Sequence, residues 1–241
     1  MFNKWHKYSY AAQKQQRGRI FLVLLWVVGI FILYTVITTF FFSMWTIETG
    51  SMKPNYMPGD RFMVLSYKFY HMLPESAQTP FKRGQVVVIN TAYKSNHNIF
   101  FRVGDSVVRF FTAQQISFLD QKKDIYVKRI IGLPGDEISM TNYILKIKPA
   151  GESYPFTEFE LTSQSSRIYE TIPPQVSSLW NESLPFSGNM DPVVLKSDEC
   201  FVLSDDRSNT NDSRTWGPID IDSIQGRVIF RYWPFNRMGR Q

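Results

Sequence analysis

Residues 20–42, IFLVLLWVVGIFILYTVITTFFF, run for 23 positions without a charged side chain. At about 1.5 Å per residue, a helix of that length crosses a hydrocarbon core of about 30 Å with some tilt to spare. Its polar members, Tyr34, Thr35, Thr38 and Thr39, carry hydroxyls that can bond back to the helix's own carbonyls. A core helix of a soluble domain would show a polar stripe, and this run has none. A cleavable signal peptide also begins with cations and an apolar run, but its apolar region is typically about 7 to 15 residues and ends at small side chains. Here the bulky Met44, Trp45 and Ile47 follow. The segment reads as one permanent transmembrane helix in contact with the lipid bilayer.

Five cations, Lys4, Lys7, Lys14, Arg17 and Arg19, precede the run, and no acid lies among residues 1–19. Such a bias holds a flank on the cytoplasmic side. The expected plan is a basic cytoplasmic tail over 1–19, a single-pass anchor over 20–42 in the cytoplasmic (inner) membrane, and an extracytoplasmic, periplasmic domain over 43–241.

The net charge of +6 is concentrated in that tail, which leaves 22 basic against 21 acidic residues beyond it. A nucleic-acid partner needs a basic patch on its folded body, and this body is nearly neutral. One cysteine, Cys200, excludes an internal disulfide and a cysteine-based zinc site. Of the three histidines, His6 lies in the tail, and His71 and His97 sit in no recognisable motif. No zinc-protease HExxH, phosphate-binding P-loop or GxSxG elbow is present.

Beyond the anchor, short segments rich in valine, isoleucine and aromatics alternate with Gly, Pro and Asp turns. Strands are predicted at 61–67, 85–90, 125–131, 143–147, 200–204 and 227–233. The fold class is mainly β, an antiparallel domain with many turns. Two stretches are less regular. Residues 139–195 are interrupted by prolines and rich in Ser, Thr and Glu, as in an insertion or small lobe. Residues 99–118 carry Phe100, Phe101, Phe110, Phe111 and Phe118, which suit core packing or a rim at the lipid surface.

Just outside the anchor, ETGSMKPNYMPGD at 48–60 sets Ser51 between Gly50 and Met52. A serine hydroxyl is a poor nucleophile until a neighbour takes its proton. In YVKRIIGLPGD at 126–136, Lys128 lies among Ile125, Val127, Ile130 and Ile131. Pointing into such a surface lowers an amine pKa from about 10.4, in favourable cases to about 5 or 6, and a neutral lysine can act as a base. On its own, the same lysine better suits a strand edge guarded against aggregation. Its neighbour Arg129 points to the opposite face of a strand, where it can pair with a carboxylate. The loop LSDDRSNTNDSRTWGPI at 203–219 is dense in Asp, Asn, Ser and Thr and suits side-chain to backbone bonding. Its Arg207 and Arg214, among Asp205, Asp206 and Asp212, can brace a neighbouring site.

Taken together these pieces resemble the type I signal peptidases, membrane-anchored Ser/Lys endopeptidases that remove signal peptides from exported proteins. The matching stretches are GSMKPNYMPGD at 50–60, RGQVVVIN at 83–90, KRIIGLPGD at 128–136 and SDDRSNTNDSR at 204–214, in family order, with GRVIFRYWPFNR at 226–237 behind them. The resemblance implies that Ser51 is the nucleophile and Lys128 the general base. It implies that Thr49 completes an oxyanion hole with the Ser51 backbone N–H, and that Thr210 orients the lysine amine. Arg129, Asp212 and Arg214 brace the site, while Ile47, Met52, Tyr126 and Val127 line pockets for small side chains. The implied substrates are exported precursors with signal peptides, and neither metal nor cofactor is required.

Several positions depart from the family pattern. Glu48 stands for a common proline. Asn55 and Tyr56 stand for a small hydroxyl residue and an aliphatic one. Ser204, Asp206 and Thr210 stand for Gly, Asn and Ser. The departure at Tyr56 and the 139–195 stretch leave room for a specialised maturation peptidase with a dedicated substrate. A catalytically inactive module that docks extended peptides is the alternative of another class.

Overall fold

The computed structural model describes residues 10–67, 81–90, 125–164, 169–174 and 188–240, with the single positions 104, 107, 108 and 112. Residues 1–9, the five phenylalanines of the 99–118 stretch, and His6, His71 and His97 lie outside the described residues. The first helix, α1 (Tyr10–Phe40), starts well before the uncharged run and takes Lys14, Arg17 and Arg19 into its first turns. Within it, Gln16–Thr35 is long and apolar enough to cross a membrane. Phe21 and Trp26 are 65% and 70% exposed, which a helix buried in a soluble core would not allow. The helix ends short of the apolar run, because Phe42 opens the first strand, β1 (Phe42–Thr46).

The chain then builds two antiparallel sheets. The strands of the larger are β1, β2 (Arg61–Ser66), β3 (Val86–Asn90), β4 (Ile125–Gly132), β9 (Glu199–Leu203), β10 (Ile219–Asp220), β11 (Ile224–Trp233) and β12 (Gly239–Arg240). Their order is β1-β2-β11-β3-β4-β9-β10, with β12 also on β11. The smaller sheet has β5 (Glu137–Thr141), β6 (Ile144–Lys148), β7 (Phe156–Thr157) and β8 (Met190–Val194), in the order β7-β6-β5-β8. The predicted strands all form. β1, β5, β7, β8, β10 and β12 lie outside the predicted ranges: β1 merges with the end of the apolar run, β5 is polar on one face, β8 carries Asp191 and Pro192, and the other three are two-residue strands. Most of this second sheet lies within the Pro-rich 139–195 stretch, with a short helix α2 (Glu158–Gln164) between β7 and β8.

The larger sheet is buried on both faces, and β3 shows why its sequence is an unbroken apolar run. Side chains alternate across a strand, so Val86 and Val88 join Ile47, Met52, Tyr56, Phe62 and Val64 on one side. Val87 and Ile89 join Ile130, Cys200, Val202 and Ile224 on the other. The two sheets share a third cluster, in which Ile131, Phe201 and Leu203 pack with Ile138, Leu145, Ile147, Tyr169 and Leu195. At Gly226 the strands β11 and β2 approach so closely that a Cβ there would lie 2.2 Å from the Leu65 carbonyl oxygen; only glycine fits.

Candidate active site

Ser51 sits in the turn between β1 and β2. That turn is held from three directions. Internally, Tyr56 N–H donates to the Met52 carbonyl (2.9 Å) and Lys53 N–H to the Gly50 carbonyl (3.1 Å). From below, Met52 and Tyr56 are buried anchors in the apolar cluster. From the C-terminal motif, Arg231 donates to the Asn55 carbonyl (2.7 Å) and Arg237 to Asp60 (2.6 Å). These two arginines explain what the 226–237 stretch does for the site, a role the sequence alone leaves open. Ser51 is 5% exposed. Its Oγ lies 3.1 Å from Thr49 Oγ1, and its carbonyl accepts from Asp206 N–H (3.0 Å).

Lys128 lies in β4 opposite Val87 of β3, and is 2% exposed. Its Nζ donates to Ser204 Oγ at 2.8 Å and stands 5.8 Å from the centre of the Trp216 ring. Among the described residues, no carboxylate forms an ion pair with it. Burial strips the ammonium of water and brings its pKa down to about 8; Asp212 and Asp205 pull it up, and Arg214 pushes it down. The amine is therefore partly neutral near neutral pH.

The residue following β9 supplies Lys128's hydroxyl partner through strand register. Arg129 faces Leu203 and Ile130 faces Val202, so the next antiparallel pair outward is Lys128 with Ser204. Ser204 and Asp206 thus tie the Lys128 amine and the Ser51 backbone to one short loop. The resemblance assigns the amine's hydroxyl partner to Thr210. Among the described residues, Thr210 is instead met through its carbonyl, which accepts from Asp212 N–H (2.8 Å) and Thr215 Oγ1 (2.6 Å).

That loop is braced by buried charge. Asp212 caps the short helix α3 (Ser213–Trp216) and accepts from Ser204 N–H at 2.9 Å. Arg214 grips the same carboxylate through Nε (2.9 Å) and Nη2 (2.8 Å). Burial alone would raise the Asp212 pKa, but the Arg214 guanidinium and the two backbone donors hold it below the ordinary value. Arg129 projects to the other face of β4. It holds Asp205 with both Nε and Nη2, donates to the Gly84 carbonyl (2.7 Å), and lies over the Tyr169 ring. Asn55 also donates to Asp205 (2.9 Å). Asp206 accepts from Ser208 N–H (3.1 Å) and closes its own turn.

The candidate pocket residues divide. Ile47, Met52 and Val127 lie together in one apolar cluster. Tyr126, on the opposite face of β4, packs against Trp216 with the ring centres 4.9 Å apart and the planes tilted at 55°. Tyr56, the departure next to them, is 1% exposed and packs on Phe62, which makes it a core residue. Ser204, Trp216 and Tyr169 escaped the sequence reading as site residues. Only the Ser204 departure carried a signal. Among the described residues, no group of acidic, histidine or cysteine side chains is arranged to hold a metal ion.

Comparison with known proteins follows the same line. The family model for "Signal peptidase, peptidase S26" matches residues 19–233. A protein named signal peptidase IB from Staphylococcus aureus (strain COL) is 33% identical over 169 residues, covering 69% of this chain and 78% of that protein. One named signal peptidase I from Bacillus caldolyticus is 28% identical over 235 residues, covering 95% and 98%.

Proposed function

The chain belongs to the signal peptidase family, peptidase S26, and from that premise we propose that it is a membrane-anchored enzyme that cuts signal peptides from exported precursors with a Ser51/Lys128 dyad. It is a serine peptidase, a hydrolase, and the family implies precursors bearing signal peptides as its substrates. The observation that carries the dyad is the state of Lys128: 2% exposed, held by a serine hydroxyl, and with no carboxylate partner among the described residues. A buried amine without a counter-ion costs stability, and such groups cluster at sites of chemistry.

In the proposed reaction the precursor lies extended along residues 46–49 and 124–128. Pairing of β9 with β4 begins only at Arg129, and Ser204 stands beside Lys128, so strand addition can continue the ladder before Lys128. Neutral Lys128 takes the Ser51 proton as Oγ attacks the scissile carbonyl. Thr49 Oγ1 and the Ser51 N–H meet the developing oxyanion; removing one such donor typically costs about 100 to 1,000-fold in rate. The protonated lysine passes its proton to the leaving amine, and water then hydrolyses the acyl-enzyme with Lys128 as base again. Shallow pockets near Ile47, Met52, Tyr126 and Val127 select small side chains. Helix α1 anchors the enzyme in the cytoplasmic membrane, its basic N-terminal flank facing the cytoplasm and the β domain on the extracytoplasmic side.

The direct test is incubation of purified protein with a precursor carrying an Ala-x-Ala junction, wild type beside Lys128→Ala. Cleavage at that junction by wild type alone is the expected result. Equal cleavage by both would overturn the dyad.

A further inference from the structure

We propose that Ser204 is the positioning residue for Lys128 in this chain, doing with a cross-strand hydroxyl what the resemblance assigns to Thr210. The inference rests on Lys128 being the base. The Ser204 side chain is fully buried and its Oγ accepts from Lys128 Nζ at 2.8 Å. The backbone of Ser204 is equally fixed, because its N–H is held by Asp212, which Arg214 clamps. Extending the register of β4 against β9 by one pair sets Ser204 opposite Lys128, whereas Thr210 offers its carbonyl to the α3 cap.

A hydroxyl in this position does two things. By accepting one N–H it turns the amine about its terminal bond, so that the nitrogen lone pair is directed away from Ser204 and left free for a proton donor. When the amine becomes an ammonium during acylation, the same contact becomes a charge-assisted hydrogen bond, the stronger kind. Ser204 therefore favours the protonated form of Lys128, and its removal lowers the pH at which the base titrates.

The experiment compares Ser204→Ala, Ser204→Gly and Thr210→Val with wild type and Lys128→Ala, reading kcat, KM and the pH profile of kcat/KM on one precursor in detergent. The two Ser204 variants remove the same hydroxyl with different effects on volume and backbone, so a folding defect in one leaves the other to report. The account expects kcat to fall about 10 to 100-fold with KM little changed, as for loss of a positioned acid–base group. It also expects the acid limb to move to lower pH, with Thr210→Val within about threefold of wild type. An acid limb unmoved in both Ser204 variants overturns the proposal, whatever their rates, because a merely structural role leaves the base's titration alone. Full activity in Lys128→Ala would remove the premise instead, a result distinct from an unmoved limb.

Discussion

The Arg129 guanidinium lies 3.8 Å from the centre of the Tyr169 ring, a contact that fixes the 169–174 segment directly behind the strand that carries Lys128. The same segment is sewn to the loop that carries Ser204 by backbone bonds: Ile172 N–H donates to the Asp205 carbonyl (3.0 Å) and Arg207 N–H to the Ile172 carbonyl (2.8 Å). Tyr169 OH in turn donates to Glu158 of α2, and Arg207 pairs with the same carboxylate. The 169–174 segment and α2 are thereby tied to the site by one aromatic ring, one carboxylate and two backbone hydrogen bonds.

Replacing Tyr169 tests that coupling. Tyr169→Ala opens a cavity and strips the face of a buried cation, and should cost about 3 to 5 kcal/mol. Tyr169→Phe keeps the ring on Arg129 and leaves Glu158 paired with Arg207, so about 1 to 2 kcal/mol is expected. Urea unfolding of the full chain in detergent measures both. Equal losses would mean that the ring over Arg129 contributes nothing.

The buried amine should weaken the fold it serves. Its folded pKa, about 8, lies below the ordinary lysine value of 10.5, so the unfolded chain binds more protons between those values. The penalty is full below about pH 8 and disappears as pH rises towards 10.5, and a shift of this size corresponds to roughly 3 kcal/mol. Lys128→Met should therefore be inactive yet more stable than wild type at pH 7, with the gap closing by pH 10.5. Unfolding midpoints at both pH values measure it; a gap that does not depend on pH would contradict the burial of the charge.

Asp212 should show the opposite sign. Its pKa is held below the ordinary 3.8, so its pairing stabilises the fold above that value and the contribution is lost as pH falls below it. The carboxylate is fully buried and Arg214 nearly so, so Asp212→Asn at pH 7 leaves a buried guanidinium short of its charge and should cost about 3 to 5 kcal/mol. The difference from wild type should narrow below pH 4, as followed by denaturant unfolding.

Legibility of the chain depended on the range of the interactions involved. The anchor and the strands around Val86–Asn90 and Ile125–Gly132 were readable because apolar runs bounded by Gly and Pro are local signals. β8 was not, since MDPVV carries Pro192 and Asp191; it pairs only with β5, and a sheet edge tolerates proline. At the site, Ser51, Lys128 and the Asp212/Arg214 pair are each weak signals alone, and it is the ordered set of motifs behind the family resemblance that singles them out. The contact of Ser204 with Lys128 spans 76 positions and depends on the register of β4 against β9, which a single sequence does not encode locally. Tyr169 was hidden for the same reason: its value lies in Arg129, across the interface between two sheets.

The pH dependence of kcat/KM for cleavage of a precursor with an Ala-x-Ala junction tests most directly that an uncharged Lys128 activates Ser51. The amine titrates near pH 8, so activity should rise about tenfold per pH unit below that point and level off above it. A profile that stays flat from pH 5 to 10 would contradict the account.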